Sequence, residues 1–384
     1  MGDHNSKLLS ILCLFALLNT RLVFSDVGHI TFLDSAVSKG AVCLDGSPPA
    51  YSIEQGHGSG VNNWMIYLEG GGWCNTTSDC IGRSIGWLGS SYSRNNKTYY
   101  NGLLTGNQTY NPEFYNWNRV FLVYCDGASF SGDVEEVDPQ TNLHYRGARI
   151  FNAIMEDLLA KGMSNAENVI LSGSSAGGLA TLFHCDNFRQ QVVPNAKRVK
   201  CISDSGFFMH AKNLPGVKER EDYFTKIVDL HQMAKTIPTS CTSKMNPGLC
   251  LFPEYLVDDI QTPLFILESS FDYHQLREMI TPYIGAGKPE WVNCMVENFN
   301  LTHCSSCQLK TMQEFQKTFI NTLQNLKDKS SRGMFVHTCF LHAHIHTKEE
   351  SICSSVSDNI LKHKVNRLRR RLVIGISIGI IFNK

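Results

Sequence analysis

The run Val169-Ile170-Leu171-Ser172-Gly173-Ser174-Ser175-Ala176-Gly177-Gly178 constrains this chain more than any other. An apolar strand-like stretch, a Gly-x-Ser-x-Gly turn and a helical pattern follow one another without a break. A chain that reverses so tightly between strand and helix has no room for a Cβ on either side of the turn, which demands Gly173 and Gly177. Ser175 is then the exposed tip, and the helix beginning at Ala176 aims its N-terminal amides at any oxyanion formed there. Ser172 and Ser174 are rivals by residue type alone, because neither sits centrally between the glycines.

A strand feeding a helix through such a turn belongs in a parallel sheet, and the rest of the chain fits one. Apolar, β-rich runs recur at 64–68, 120–125, 169–172, 199–203, 263–267 and 334–340. Most are continuous rather than alternating, as expected of strands buried on both faces. Helical spacing fills the gaps, with helices predicted over 145–162, 176–191 and 311–326. The reading is one α/β domain with an α/β-hydrolase-like, doubly wound, mostly parallel sheet flanked by helices.

A serine nucleophile needs donors for its oxyanion, and Glu69-Gly70-Gly71-Gly72-Trp73-Cys74 follows the first of these strands. Three bare glycines let backbone N–H groups converge on one point. In this architecture the acid and the base follow the serine in that order. Asp272, just past the 263–267 strand, is the expected acid, with Glu268 as runner-up. His342, nearest the end of the last strand, is the expected base. His342, His344 and His346 alternate on an extended segment and offer a rival metal site, with His303, Cys304 and Cys307 as recruits. No carboxylate cluster accompanies them, so no metal and no cofactor is expected, and His344 and His346 are read as surface histidines.

Compartment follows from the ends and the cysteines. Lys7 followed by the apolar stretch 8–18 and small residues near Ser25 reads as a secretory signal peptide over 1–25. Fourteen cysteines and sequons at Asn75, Asn96, Asn107 and Asn300 fit an oxidising route. Removing Cys13 with the signal leaves an odd number, so at least one thiol is without a partner. Cys74 and Cys80 are the one pair that spacing supports. The 35 basic and 35 acidic residues cancel, which gives no reason to expect nucleic acid. Residues 361–384 carry seven Lys/Arg and no acid, so residues 1–360, with 28 bases against 35 acids, carry a net −7.

Taken together, Cys43-Leu44-Asp45-Gly46-Ser47-Pro48-Pro49-Ala50-Tyr51, Leu68 through Cys74, Gly173 through Gly178 and Cys339-Phe340-Leu341-His342 closely resemble the plant pectin acetylesterases, relatives of the animal Notum carboxylesterases. The resemblance runs from about residue 27 to 342. It implies a secreted, cell-wall serine esterase that removes acetyl groups from galacturonate units of pectin; a monomer is expected, and the eleven-residue apolar run 372–382 is too short for a stable membrane span, which takes roughly 20 residues in a helix. It also implies a triad of Ser175, Asp272 and His342 and oxyanion donors at the amides of Gly71, Gly72 and Ala176. Two alternatives accompany it: a Notum-like esterase for a longer acyl chain, and an impaired pectin-binding homologue. The chain departs from the family pattern after His342, where Ala343 and His344 stand in place of Cys and Gln. The esterase domain is read as 26–350 and the basic and apolar tail as 351–384, with three readings of the tail: an interfacial anchor, a strand or short helix packed on the body, or, the favoured one, translated non-native sequence.

Overall fold

The computed structural model describes residues 27–280, 291, 294 and 303–346. The signal-peptide reading, Asn300 and the 351–384 tail lie outside these residues. Nine strands form one sheet: β1 (Val27–Phe32), β2 (Ala50–Glu54), β3 (Asn63–Leu68), β4 (Lys97–Tyr99), β5 (Asn118–Leu122), β6 (Asn168–Ser174), β7 (Arg198–Asp204), β8 (Leu264–Ser269) and β9 (Arg332–His337). Their order is β4-β1-β2-β5-β3-β6-β7-β8-β9. The six from β5 to β9 run parallel, while β1, β2 and β4 pair antiparallel along one edge. The parallel block is the set of six apolar runs read in the sequence, whereas the antiparallel edge was not anticipated. Its strands are short and interrupted by polar residues.

The main helices are α1 (Thr77–Ser84), α2 (Gly147–Ala160), α3 (Ala176–Asn187), α4 (Val217–Leu230) and α5 (Ser306–Gln324). Three answer to the expected spans. The predicted 176–191 helix changes pitch near its end, where Phe188–Val192 forms a π turn. Helix α5 begins five residues earlier than predicted because Ser305 and Gln308 form a reciprocal capping box. Central strands are buried throughout, so side chains on both sheet faces feed cores: Ile66, Leu171 and Cys201 on one side, Met65, Ile170 and Ile202 on the other.

Disulfides join Cys43 to Cys125, Cys74 to Cys80, Cys185 to Cys201, Cys241 to Cys250 and Cys294 to Cys304. Cys339 is disulfide-bonded as well, and Cys307 is a free, exposed thiol. The expected Cys74–Cys80 bridge is therefore present, and an unpaired thiol exists as the odd count required. Among the described residues no helix is long and apolar enough to cross a membrane.

What matters for function is that parallel strands end on the same side. Register pairs Leu68 with Gly173, Ser174 with Asp204, Asp204 with Leu267 and Ser269 with His337. The loops after β3, β6, β7, β8 and β9 thus open on one rim, where open α/β sheets place their ligands.

Candidate active site

At the end of β6 the chain turns through Ser175 with φ 59° and ψ −127°, then enters α3 at once. A left-handed serine is strained by about 1–3 kcal/mol and persists only where its surroundings impose it. Here a Cβ on Gly177 would lie 2.1 Å from the Leu68 carbonyl oxygen, and one on Gly173 would lie 2.3 Å from the Gly177 oxygen. The turn therefore exists only with glycine at both positions. The Ser175 amide donates to the Asp204 carbonyl at 2.9 Å, tying the turn to β7. Ser172 donates to the Ile66 carbonyl and Ser174 to an Asp204 carboxylate oxygen, and both are buried. Ser175 is not the exposed tip expected, being buried at 8% exposure, but it is less buried than its rivals, and among the described residues its Oγ is the hydroxyl of the three left without a partner.

The glycine loop runs directly over this turn. A Cβ on Gly70 would lie 2.8 Å from that of Ser175 and 2.4 Å from the Ser174 carbonyl oxygen. The loop's carbonyls are turned away, because Arg83 Nη2 donates to the Gly71 oxygen at 2.8 Å and the Tyr124 hydroxyl to the Gly72 oxygen at 2.7 Å. Gly72 takes φ 67°, a conformation that a side chain disfavours. Among the described residues nothing accepts from the amides of Gly71, Gly72 or Ala176. Unpaired amides on a rim are what an oxyanion needs.

Asp272 lies just beyond β8 and is fully buried. One of its oxygens accepts from the Gln275 amide at 3.0 Å, and the other accepts from His342 Nδ1 at 2.7 Å. It is a loop cap and an imidazole partner at once. Glu268, the runner-up, accepts from the Phe207 amide, and its second oxygen has no partner among the described residues. Burial, reinforced by the nearby Asp272 charge, raises its carboxyl well above the usual range. Asp272, and not Glu268, is the carboxylate that meets the His342 ring.

The His342 ring stacks on His274 at 4.7 Å, and its Nε2 is buried without a hydrogen-bond partner among the described residues. No Ser175–His342 hydrogen bond is formed. Such contacts are commonly long in the absence of substrate and tighten when it binds.

The surface reading of His344 is corrected. The side chain is buried, pairs through Nδ1 with Asp204 and meets His337 Nε2 at 2.6 Å. The sequence hid this because the partner carboxylate stands 140 residues earlier. His346 is half-buried, stacks on Tyr67 at 5.5 Å and bonds the Tyr99 carbonyl. The three alternating histidines thus serve three different acceptors, and Cys304 is held in a disulfide, which dissolves the rival metal site. Cys74, Cys80 and His231 cluster at ligand spacing, but both sulfurs are spent in their bridge and His231 donates to the Cys74 carbonyl at 2.9 Å. Of the sequons, Asn96 and Asn107 are exposed and Asn75 is half-buried.

Fold and rim together define a carboxylic-ester hydrolase of the α/β-hydrolase-like class. The pectinacetylesterase family model matches residues 25–369, and the chain belongs to that family. It is 48% identical to pectin acetylesterase 7 of Arabidopsis thaliana over 82% of this chain and 79% of that relative. Pectin acetylesterase 11 of the same plant is 46% identical over the same shares. A palmitoleoyl-protein carboxylesterase, notum2 of Xenopus laevis, is 29% identical over 61% of this chain and 50% of that protein. The Wnt deacylase Notum from Drosophila shares the fold, with a TM-score of 0.69 at 23% identity over 83% of this chain and 86% of that structure.

Proposed function

We propose that the chain is a secreted, glycosylated cell-wall esterase that hydrolyses acetyl esters on galacturonate units of pectin through Ser175, His342 and Asp272. The observation that carries the reading is the convergence on one rim of a strained serine with a free hydroxyl, unpaired glycine amides and a buried carboxylate–imidazole pair. His342 Nδ1 donates to Asp272, so Nε2 is left as the acceptor, the tautomer a general base requires.

In the proposed cycle Nε2 takes the Ser175 proton as Oγ attacks the acetyl carbonyl. The amides of Gly71, Gly72 and Ala176 receive the developing oxyanion, and the start of α3 adds its positive dipole end. Collapse expels the sugar oxygen, which takes the proton back from His342. Water then repeats the sequence on the acetyl-enzyme and releases acetate. The family relationship and two Arabidopsis pectin acetylesterase relatives support the acetylated polymer as substrate.

Acetate release from acetylated homogalacturonan tests this, with Ser175→Ala as control. Release by the wild type and none by the variant is expected. Preference for long-chain over acetyl p-nitrophenyl esters would replace the acetyl reading with a longer acyl substrate. Binding of the polymer without any ester hydrolysis would reject the enzyme reading.

A further inference from the structure

We infer that Asp204 is a positioning residue that locks the loop carrying His342 onto the turn carrying Ser175; the inference rests on the triad roles proposed above. Asp204 ends β7, and its side chain is fully buried between the two loops. One carboxylate oxygen accepts from the Ser174 hydroxyl at 2.5 Å, from the His344 amide at 2.6 Å and from the Ile345 amide at 2.8 Å. The other oxygen takes His344 Nδ1, with the Ser205 hydroxyl at 3.3 Å. Ser205 Oγ in turn accepts from the Ala343 amide at 3.0 Å.

Three successive amides, those of residues 343, 344 and 345, are therefore satisfied by the side chains of Asp204 and Ser205. Ala343 at the head of this set takes φ 68°. Consecutive amides around a left-handed residue form an anion-binding concavity, and the anion here is the protein's own carboxylate. Because the same oxygen that holds residues 344 and 345 also holds Ser174, one atom fixes the spacing between the neighbour of the nucleophile and the segment just after the base.

The hydrogen bonds behind Asp204 run in one direction. The Cys339 amide donates to His337 Nδ1 at 3.1 Å, so His337 carries its proton on Nε2 and donates to His344 Nε2. His344 is then protonated on Nδ1, the atom that faces Asp204. Burial, with the neighbouring His344, lowers His337 to about 3, consistent with a neutral ring. What position 344 must supply is a donor, and a glutamine amide supplies one too.

The test measures p-nitrophenyl acetate turnover per active site, with sites counted by organophosphate titration of Ser175. Because a misplaced base also slows the titration, it is run to completion and checked against the folded fraction from circular dichroism, which separates mispositioning from loss of folded protein. Asp204→Asn keeps one acceptor oxygen for Ser174 and the 344 and 345 amides but sets an NH2 donor against His344 Nδ1–H and the Ser205 hydroxyl, and kcat per titrated site is expected to fall about 100-fold with KM within about threefold, the mark of a misplaced catalytic group. Ser205→Ala frees the Ala343 amide and removes the hydroxyl from Asp204 and from His344 Nδ1, and is expected to cost about tenfold. His344→Leu should fall likewise, whereas His344→Gln should stay within about threefold of wild type. Should Asp204→Asn not fold, the Ser205 and His344 variants decide the matter. Wild-type turnover per site in these variants, with only fewer sites, would overturn the inference. A wild type that cleaves p-nitrophenyl acetate but not acetylated pectin would sink the substrate reading and leave this one standing; inertness toward both esters would sink the two together.

Discussion

Asp272→Asn asks the most of the proposed site. The carboxylate serves two donors, the Gln275 amide at 3.0 Å and His342 Nδ1 at 2.7 Å, one on each oxygen. A carboxamide has one acceptor. With that oxygen kept on Gln275, the NH2 group faces Nδ1 and drives the ring proton to Nε2, where it blocks proton abstraction from Ser175. Turned the other way, the amide keeps the tautomer but sets NH2 against the Gln275 N–H, an unsatisfied buried donor costing about 1–3 kcal/mol. The first arrangement is favoured by that margin, and a base held in the wrong tautomer loses about 10⁴ in kcat, or about 5 kcal/mol of barrier. Steady-state hydrolysis of p-nitrophenyl acetate, with circular dichroism to check folding, measures it. A folded Asp272→Asn enzyme within tenfold of wild type would refute the assignment of Asp272.

Other expectations follow from the same geometry. Gly177→Ala forces a Cβ to 2.1 Å from the Leu68 oxygen, a backbone atom that cannot swing aside, so the variant should lose about 3 kcal/mol or more and all activity; denaturant unfolding reads the former. Removing the Cys43–Cys125 bridge, which spans 82 residues, should cost about 4.5 kcal/mol, roughly twice the cost of removing Cys74–Cys80, which spans 6; equal losses in paired denaturation curves would contradict the loop-closure argument. Glu268 has its pKa raised in the folded state, by burial first and Asp272 second. Its contribution is therefore present below the unfolded value of about 4.3 and is lost as pH rises toward the folded value. Glu268→Gln should flatten that decline, so its stability relative to wild type should rise as the pH is raised above about 4.3.

The sequence made the parallel core legible because strands buried on both faces leave unbroken apolar runs, and β3, β5, β6, β7, β8 and β9 were all found that way. The strained turn and the glycine loop were readable for a related reason: a backbone that allows no side chain leaves glycine at fixed positions. Asp272 and His342 followed from chain order and strand ends, and the structure joins them through one hydrogen bond. Asp204 and His344 were not readable. One ends a strand as an ordinary polar residue and the other sits in an alternating histidine run, and only the folded sheet sets the carboxylate beside Ser174 and beneath the 344 and 345 amides. The antiparallel edge strands escaped notice because three to six residues of mixed polarity carry little periodic signal.

The central claim is that Ser175 carries the acyl group. Acid quenching during p-nitrophenyl acetate turnover, followed by peptide mass mapping, tests it most directly. An acetyl group on Ser175, absent from Ser175→Ala, is the predicted result. Turnover that persists in Ser175→Ala, or acetyl carried on Ser172 or Ser174 instead, would contradict the account.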